Sequence, residues 1–262
     1  MHFLLKFRIF APNFSKIMNL KVIAYARNGH TDKFGIPRQS REDSPILTRI
    51  VFEPEYAEQE ALRGIEGYSH LWLLWGFSEI SKFRDREVST ETPINWSPTV
   101  RPPRLGGNRR MGVFATRSPF RPNPIGMSSV KLLGIRNQEP GNKTLELLVS
   151  GADLLDGTPI YDIKPYLRYS DCHPEAVDGF AEETKDHLLE VDWSEVISRQ
   201  TYDKHMTNIR SLYDELTYIL SQDPRPGYQH DPEREYKLDY AGWNVAFCVR
   251  NGKVIIKNIQ KN

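Results

Sequence analysis

The chain has 262 residues, of which 39% are hydrophobic and 11% aromatic, enough apolar material for a folded core, which excludes disorder as the default. It has 35 Lys and Arg and 34 Asp and Glu, which gives a net charge of +1. An anion-binding surface must therefore arise from a local excess of positive charge. Two widely separated cysteines, Cys172 and Cys248, exclude a disulfide-rich scaffold and fit a reducing cytoplasm, and no apolar run approaches the roughly 20 residues that span a bilayer.

The first 17 residues are apolar and basic but lack the features of an export signal. Lys6 and Arg8 interrupt the apolar part, and no small-residue cleavage site follows. Met18 directly precedes Leu20–Ala26, which has the composition of a first strand. We therefore expect residues 1–17 to be a non-native or disordered leader, with Met18 as the true start.

Strand-like segments follow one another up to residue 163 without long helices between them. They are rich in β-branched or aromatic residues and are bounded by turn residues. This order predicts a mainly antiparallel barrel or sandwich, and the lack of a Gly-x-Gly-x-x-Gly or Walker loop argues against a Rossmann or P-loop site. One short helix is predicted over 54–62. The predicted strands are Leu20–Ala26, Leu47–Glu53, Tyr68–Gly76, Met111–Thr116, Met127–Ile135, Thr144–Gly151 and Pro159–Ile163.

The composition turns acidic in the last third of the chain, so we predict one domain over 18–170 and a second over 171–262. The second is predicted to be a small α+β unit. A helix with one apolar face opens at Ser194 and ends before Pro224, because proline cannot continue a helix. Asn251-Gly252 is the strongest two-residue signal for a hairpin. The two strands of that hairpin are predicted at Asn244–Val249 and Lys253–Asn258.

The basic stretch Thr92–Gln138 contains seven arginines and one lysine but no acidic residue. Its prolines and Gly106-Gly107 stiffen loops that an ordinary surface has no need to fix. The functional interpretation is a surface whose forked guanidinium groups hold phosphates or a ligand carboxylate, and the alternative is a solvated surface that pairs with the acidic C-terminal domain. We favour the first, which indicates a phosphate-bearing partner. The arginines concerned are Arg101, Arg104, Arg109, Arg110, Arg117 and Arg121.

Four further positions have both a structural and a functional explanation. Pro37-Arg38-Gln39 is a rigid turn that offers a cation and an amide, although many ordinary loops contain proline. His70 is a lone histidine in an apolar strand, where a histidine is more often a hydrogen-bonded core residue than a catalyst. Asp153–Pro159 is a good turn sequence that could offer a carboxylate to an amine or ribose, and Asp223–Tyr228 could stop a helix or contact a nucleotide. The seven histidines show no ligand spacing, so no metal site is expected.

These motifs occur together and in order, and the chain resembles the family of tRNA threonylcarbamoyladenosine methyltransferases, TrmO-like proteins with a TsaA-type domain. The resemblance runs from about Leu20 to Ser170, and Asp223–Tyr228 extends it into the C-terminal domain, as in the longer bacterial members. One departure is Arg27–His30, where family members often have a Ser-Pro-aromatic turn. The matching segments are Lys33–Gln39, Gly64–Trp72, Arg101–Met127, Asp153–Pro159 and Asp162–Tyr166.

The resemblance implies a mainly β fold: a single-sheeted antiparallel β-barrel that binds S-adenosylmethionine, with a smaller α+β C-terminal domain. It also implies a cytoplasmic homodimer with the cofactor near a subunit boundary. The implied reaction is methylation of the exocyclic amine of threonylcarbamoyladenosine at position 37, beside the anticodon of threonine tRNA. Two alternatives stay open: a non-catalytic RNA-binding module, and a barrel methyltransferase that acts on another nucleotide or a small molecule.

The same resemblance places residues of this chain at the expected site. It does not assign the catalytic base, for which Tyr228 and Asp223 are the candidates, because tRNA is expected to approach from the C-terminal domain. The anticodon stem-loop is expected to contact Arg104, Arg109, Arg110, Arg121 and Arg225. The cofactor pocket is expected to contain Pro37, Arg38, Gln39, His70, Leu71, Arg117, Met127, Asp153, Leu154, Leu155 and Asp156.

Overall fold

The structure, a computed structural model, contains a barrel and an open four-stranded sheet. It describes residues 20–37, 39–77, 96–102, 109–137, 144–184, 188–197, 207–225, 229 and 231–262. In chain order the strands are β1 (Ala24–Arg27), β2 (Leu47–Phe52), β3 (His70–Gly76), β4 (Thr99–Val100), β5 (Met111–Gly112), β6 (Ile125–Asn137), β7 (Leu145–Ser150), β8 (Pro159–Pro165), β9 (Glu190–Asp192), β10 (Tyr236–Tyr240), β11 (Trp243–Arg250) and β12 (Lys253–Lys261).

Six antiparallel strands form the barrel in the order β1-β2-β7-β6-β3-β8, and pairing of β8 with β1 closes it. Every second side chain of β3 is buried, namely Leu71, Leu73 and Trp75, as expected of a strand whose inner face fills a barrel. β3 pairs with β6 on one side and β8 on the other. The closed single sheet confirms the predicted fold class.

Two predicted elements differ in the structure. The helix predicted over 54–62 is only a 3₁₀-helix at Gln59–Leu62. A helix of so few residues is marginal, because its few hydrogen bonds do not offset the cost of forming the first turn, so packing on the barrel core decides the local structure. The strand predicted at Met111–Thr116 is the two-residue β5, which pairs with β4, followed by a 3₁₀-helix at Val113–Ala115. Val113, the first residue of that 3₁₀-helix, is buried.

The described residues contain three α-helices: α1 (Arg168–Asp171), α2 (Ser194–Ile197) and α3 (Thr207–Ser221). A helix opens at Ser194 as predicted, and α3 ends before Pro224 as predicted. Residues 198–206 lie outside the described residues, so the middle of the predicted helix does too. The apolar face of α3 packs into a second core, where Leu212, Leu216, Ile219 and Leu220 are buried.

The four-stranded sheet has the order β10-β11-β12-β9. Its predicted hairpin is confirmed, because Asn251 and Gly252 join β11 to β12 with left-handed φ values of 49° and 75°, as a type I′ turn requires. The strands β9 and β10 were not predicted. β10 joins β11 through Ala241-Gly242, also at positive φ (50° and 79°), and alanine carries no sequence signal for that conformation.

The loop between β1 and β2 packs on the C-terminal sheet. Ile46 is fully buried in the second core, and the His30 ring meets the Tyr240 ring edge-on with 5.0 Å between centroids. Gly35 has a φ of 93° and lies so close to Leu238 that an added Cβ would stand 2.5 Å from its Cδ1. The barrel loop and the C-terminal sheet therefore share one core, which the sequence did not predict.

Within the described ranges, no helix has the length and apolarity needed to cross a membrane. The same residues include no group of three or more His, Cys, Asp or Glu side chains placed to hold a metal ion. Cys172 is exposed and Cys248 is buried, and both are free thiols.

Candidate active site

The β1–β2 loop returns to the barrel at Gln39 and Ser40 and crosses one end of it. The Ser40 hydroxyl donates to the Ser129 carbonyl of β6. The Arg41 carbonyl oxygen lies 2.6 Å from the position that a Cβ on Gly151 would take, and Gly151 has a left-handed φ of 83°. Glycine meets both demands without strain, so Gly151 lets the loop contact the backbone that follows β7.

Arg117 reaches this loop from the basic stretch. Its Nη1 donates to Oε1 of Gln39, so two predicted cofactor residues that are far apart in sequence are in direct contact. The turn that carries Arg117 is held by Arg121, whose Nη1 donates to the carbonyls of Thr116 (3.1 Å) and Ser118 (3.3 Å). Arg121 therefore supports the turn, besides being a predicted tRNA contact.

Asp153 lies at the same end of the barrel, just after β7. Ser128 Oγ donates to its Oδ1 over 2.5 Å, and the Ser40 backbone amide also donates to its carboxyl. Trp75 Nε1 donates to Ser128 Oγ over 2.9 Å, so indole, hydroxyl and carboxyl form one chain. Burial raises the pKa of the Asp153 carboxyl, while the Ser128 hydrogen bond and the charge of Arg117 act in the opposite direction.

His70 stands at the start of β3, close to the same loop. Its Nδ1 lies 2.9 Å from Ser69 Oγ, and its Nε2 lies 3.9 Å from Oε1 of Glu42. Its ring also approaches Tyr166, with 6.1 Å between centroids. His70 is therefore a half-buried side chain with hydrogen-bonding capacity at the rim of the site, and not an enclosed core residue.

Other predicted cofactor residues point elsewhere. Leu71 and Leu154 belong to the barrel core, with exposed fractions of 0% and 1%, so only their backbone could meet a ligand. Met127 is 54% exposed on the outer face of β6, opposite the inward face that carries the next residue, Ser128. Pro37 is buried within the β1–β2 loop. Leu155 is half-buried in the turn after β7.

Asp156 anchors the chain that follows β1. Its Oδ1 accepts from the Asn28 backbone amide over 3.1 Å, and its Oδ2 accepts from Arg27 Nη1 over 3.4 Å. The Asn28 side chain in turn donates to the Leu154 carbonyl over 2.9 Å. Asp156 therefore shapes Arg27–His30, the segment where the sequence departs from the family that it resembles, and both carboxylate oxygens of Asp156 have partners inside the protein.

The predicted tRNA contacts fall into two groups. Arg109 and Arg110 are exposed, and Arg110 Nη1 donates to Thr99 Oγ1 over 3.0 Å. Arg225 is largely buried and binds both carboxylate oxygens of Asp223, at 2.7 and 2.8 Å. Those hydrogen bonds raise the pKa of the Arg225 guanidinium and fix the orientation of Asp223, a candidate base. Arg38, Arg104 and Tyr228 lie outside the described residues.

Sequence reasoning missed Ser40 and Ser128, which tie Asp153 to the loop and to β6. The available signal for Ser128 was a small polar residue at an inward position of a strand, where an apolar side chain is usual. Its hydroxyl is buried and has both a donor and an acceptor as partners, which is how a buried polar group is normally satisfied.

Two family models match most of the chain. The one described as "tRNA-methyltransferase O N-terminal domain" matches residues 25–172, and the one described as "TrmO C-terminal domain" matches residues 186–262. The chain belongs to the TrmO family. The family resemblance drawn from the sequence motifs is thereby confirmed.

Several relatives of this TrmO-family chain are similar over most of their length. A protein of Eikenella corrodens is 43% identical over 192 residues, which cover 73% of this chain and 97% of the relative. A protein of Escherichia coli K12 is 37% identical over 232 residues, 87% of this chain and 90% of the relative. Both are named tRNA (adenine(37)-N6)-methyltransferase. A Pseudomonas aeruginosa relative, 42% identical over 216 residues, is named as a candidate S-adenosylmethionine-dependent methyltransferase.

A solved structure agrees with the fold of this TrmO-family chain. The crystal structure of TrmO from Pseudomonas aeruginosa superposes with a TM-score of 0.68 at 32% sequence identity. The match covers 92% of this chain and 98% of the solved one, so the likeness includes both the barrel and the C-terminal sheet.

Proposed function

We propose that this TrmO-family enzyme transfers a methyl group from S-adenosylmethionine to the exocyclic amine of threonylcarbamoyladenosine, next to the anticodon of threonine tRNA. Membership in the family supports methylation of adenosine 37 in tRNA, since relatives that are 37% and 43% identical carry that name. The threonylcarbamoyl group and the choice of threonine tRNA rest on the resemblance of the motifs. Because these relatives are named as enzymes, the alternative of a non-catalytic RNA-binding module is disfavoured.

The observation that carries the proposal is the meeting of Gln39, Arg117 and Asp153 at one end of the barrel. A guanidinium beside an amide suits a carboxylate, because its forked donors match the two oxygens. A carboxyl group a short distance away suits an amine or ribose hydroxyls. A nucleoside that carries an amino acid offers groups of both kinds, so the polarity of this end of the barrel matches such a ligand.

The residues present fit S-adenosylmethionine, which when bound supplies a methyl group on a positively charged sulfur. The hydrogen bonds from Ser128 and Ser40 to Asp153 come from neutral donors, so a nearby cation would stabilise the ionised carboxylate that burial disfavours. Charge falls as a methyl group leaves a sulfonium, so the protein contributes mainly orientation and exclusion of water. Arg117 would orient a carboxylate, and Asp153 an amine or ribose.

The acceptor amine must be activated before it can accept the methyl group. It is conjugated with adenine and acylated, so it is a poor nucleophile, and loss of its proton to a positioned base would assist. We propose Tyr228 or Asp223 for this task. The ion pair with Arg225 supports Asp223 as a residue of fixed orientation, although proton acceptance would require one oxygen to exchange its partner.

Replacing the true proton acceptor should lower kcat by about 10²- to 10⁴-fold without changing the affinity for S-adenosylmethionine. Tyr228→Phe and Asp223→Asn are the variants to compare, with kcat measured across pH. The variant that loses both rate and pH dependence identifies the base. A fall of less than about 10-fold in both variants would exclude both candidates.

The exposed arginines of the basic stretch should bind the anticodon stem-loop through its phosphates. Arg109→Ala and Arg110→Ala should weaken tRNA binding and reduce its salt dependence, because each phosphate contact contributes about one unit to the salt slope. Affinity for S-adenosylmethionine should not change. Titrations of each variant with both ligands check this division, and equal losses for the two ligands would contradict it.

We also propose that the chain forms a homodimer. A series of large apolar side chains is exposed along β6 and the segment before it, and such patches mark interaction surfaces. A symmetric contact would cover the patch on both copies, and Met127, a predicted cofactor residue on the outer face of β6, would then lie at the subunit boundary. Light scattering after size exclusion tests this. The exposed side chains are Phe114, Phe120, Ile125, Met127 and Leu133.

Mass spectrometry of nucleosides tests the reaction itself. Purified protein, S-adenosylmethionine and threonine tRNA with or without the threonylcarbamoyl group should give a methylated nucleoside only from the modified tRNA. The same nucleoside should vanish from tRNA of a deletion strain. Methylation of unmodified adenosine would overturn the proposed substrate, and failure to bind the methyl donor even with RNA present would overturn the proposed function.

A further inference from the structure

An open cavity of about 630 Å³ lies beside β3, on the segment that leaves β8. Its walls include Tyr68, Tyr166, Arg168 and Tyr169. Three tyrosine rings and one guanidinium therefore line the same cavity. Tyr166 is the last residue of Asp162–Tyr166, one of the segments through which the chain resembles its family.

The floor of the cavity is held in place by the barrel. The Tyr166 ring lies 5.4 Å from the Trp72 ring, and the Tyr166 backbone amide donates to the His70 carbonyl over 3.0 Å. Oδ2 of Asp171 accepts from Trp72 Nε1 over 2.8 Å and from the Leu167 amide over 2.9 Å. These bonds tie α1 to β3, so the cavity is preorganised.

The rim of the cavity is open to solvent. Tyr169 is 88% exposed and Tyr68 is 39% exposed, so neither ring is used to build a core. Exposed aromatic rings and an arginine are the groups on which proteins stack unpaired bases of RNA. A cofactor adenine is the less suitable occupant, because small-molecule sites usually bury most of their ligand.

The cavity adjoins the candidate active site through His70, whose ring approaches Tyr166 and whose Nε2 approaches the β1–β2 loop. We propose that the cavity binds one unpaired base of the RNA substrate, a neighbour of the methylated nucleotide, by stacking on Tyr169 beside Arg168. This inference rests on the proposed function, because it needs an RNA substrate at the adjacent site.

Tyr169→Ala tests the proposal in the full-length protein, because a side chain this exposed can be removed with little risk to folding. An anticodon stem-loop RNA with 2-aminopurine in the loop is the probe, since stacking changes its fluorescence. We expect Tyr169→Ala to weaken binding of this RNA by about 5- to 100-fold. Tyr169→Phe, which keeps the ring, should bind like the parent, and Arg168→Ala should also weaken binding.

Val177→Ala, an exposed apolar change at a residue that does not line the cavity, is the matched control and should have no effect. Unchanged RNA affinity in Tyr169→Ala overturns the inference, as does an equal loss of S-adenosylmethionine affinity, which would make the cavity part of the cofactor pocket. Dissociation of a dimer in this variant would overturn it in favour of a contact between copies. A parent protein that methylates tRNA while Tyr169→Ala binds it equally well refutes this inference alone, whereas a parent that methylates nothing refutes the proposed function.

Discussion

Replacing Asp153 with asparagine should weaken binding of S-adenosylmethionine by about 10- to 100-fold, because a hydrogen bond that involves a charged group contributes about 1.5–3 kcal/mol. The amide keeps the size of the carboxyl group and an oxygen that can accept from Ser128. It loses the negative charge that would attract the cationic ligand. Calorimetric titration of the purified variant with S-adenosylmethionine measures the effect directly.

Thermal unfolding separates this role from a structural one. Burial raises the pKa of the Asp153 carboxyl, so keeping this group ionised costs the folded protein stability relative to the unfolded chain, and a neutral isostere should leave the Tm unchanged or raise it. Asp162→Asn is the matched control, because Asp162 is a half-buried aspartate of β8 that pairs with Lys164. A lower Tm in Asp153→Asn, or equal losses of affinity in the two variants, would contradict the proposed role.

The second large effect concerns His30 and acid. His30 is 1% exposed, and its Nε2 has no hydrogen-bond partner among the described residues, so burial lowers the pKa of the ring to about 4. The pKa of a histidine in the unfolded chain is near 6.5. As the pH falls below that value, the unfolded chain therefore binds a proton that the buried ring of the folded protein does not bind. Stability is therefore complete above pH 6.5 and falls until about pH 4, by roughly 2 kcal/mol between pH 7 and pH 5.

The variant His30→Phe isolates this contribution, because phenylalanine keeps an aromatic ring against Tyr240 and cannot be protonated. Denaturant unfolding at pH 7 and pH 5 should show a smaller acid loss in the variant than in the parent. His30→Leu serves as a second variant if the larger ring is not accommodated. His173→Gln removes an exposed histidine and should keep the acid loss of the parent. An acid loss in His30→Phe equal to that of the parent would refute the assignment.

The predictions for Asp153 and for His30 both depend on the β1–β2 loop. His30 packs on the C-terminal sheet near the start of the loop, and Ser40 bonds to Asp153 near its end. The C-terminal sheet therefore holds the loop that completes the candidate cofactor site. Acid conditions that loosen His30 should also weaken cofactor binding, since both depend on the same segment.

Local patterns in the sequence were enough to predict the six barrel strands and the hairpin turn at Asn251-Gly252. Leu71, Leu73 and Trp75 alternate with less buried neighbours because side chains along a strand point to opposite faces. Asn251-Gly252 predicted its hairpin because both residues tolerate positive φ. The same local reasoning failed at Ala241-Gly242, where the surrounding sheet imposes the conformation on alanine, and at the predicted helix over 54–62, where packing on the barrel replaces helical bonds.

Patterns along the chain were enough to show that the protein is strand-rich, that its cations gather in stiff loops, and that its motifs resemble one family. Those properties depend on neighbours along the chain. Folding was needed to show that Gln39 contacts Arg117, that Ser128 donates to Asp153, and that Leu71 and Leu154 face the core. Contacts between residues about 80 positions apart depend on how the barrel closes and on where the C-terminal sheet holds the β1–β2 loop. Neither can be predicted from the pattern of neighbouring residues along the chain.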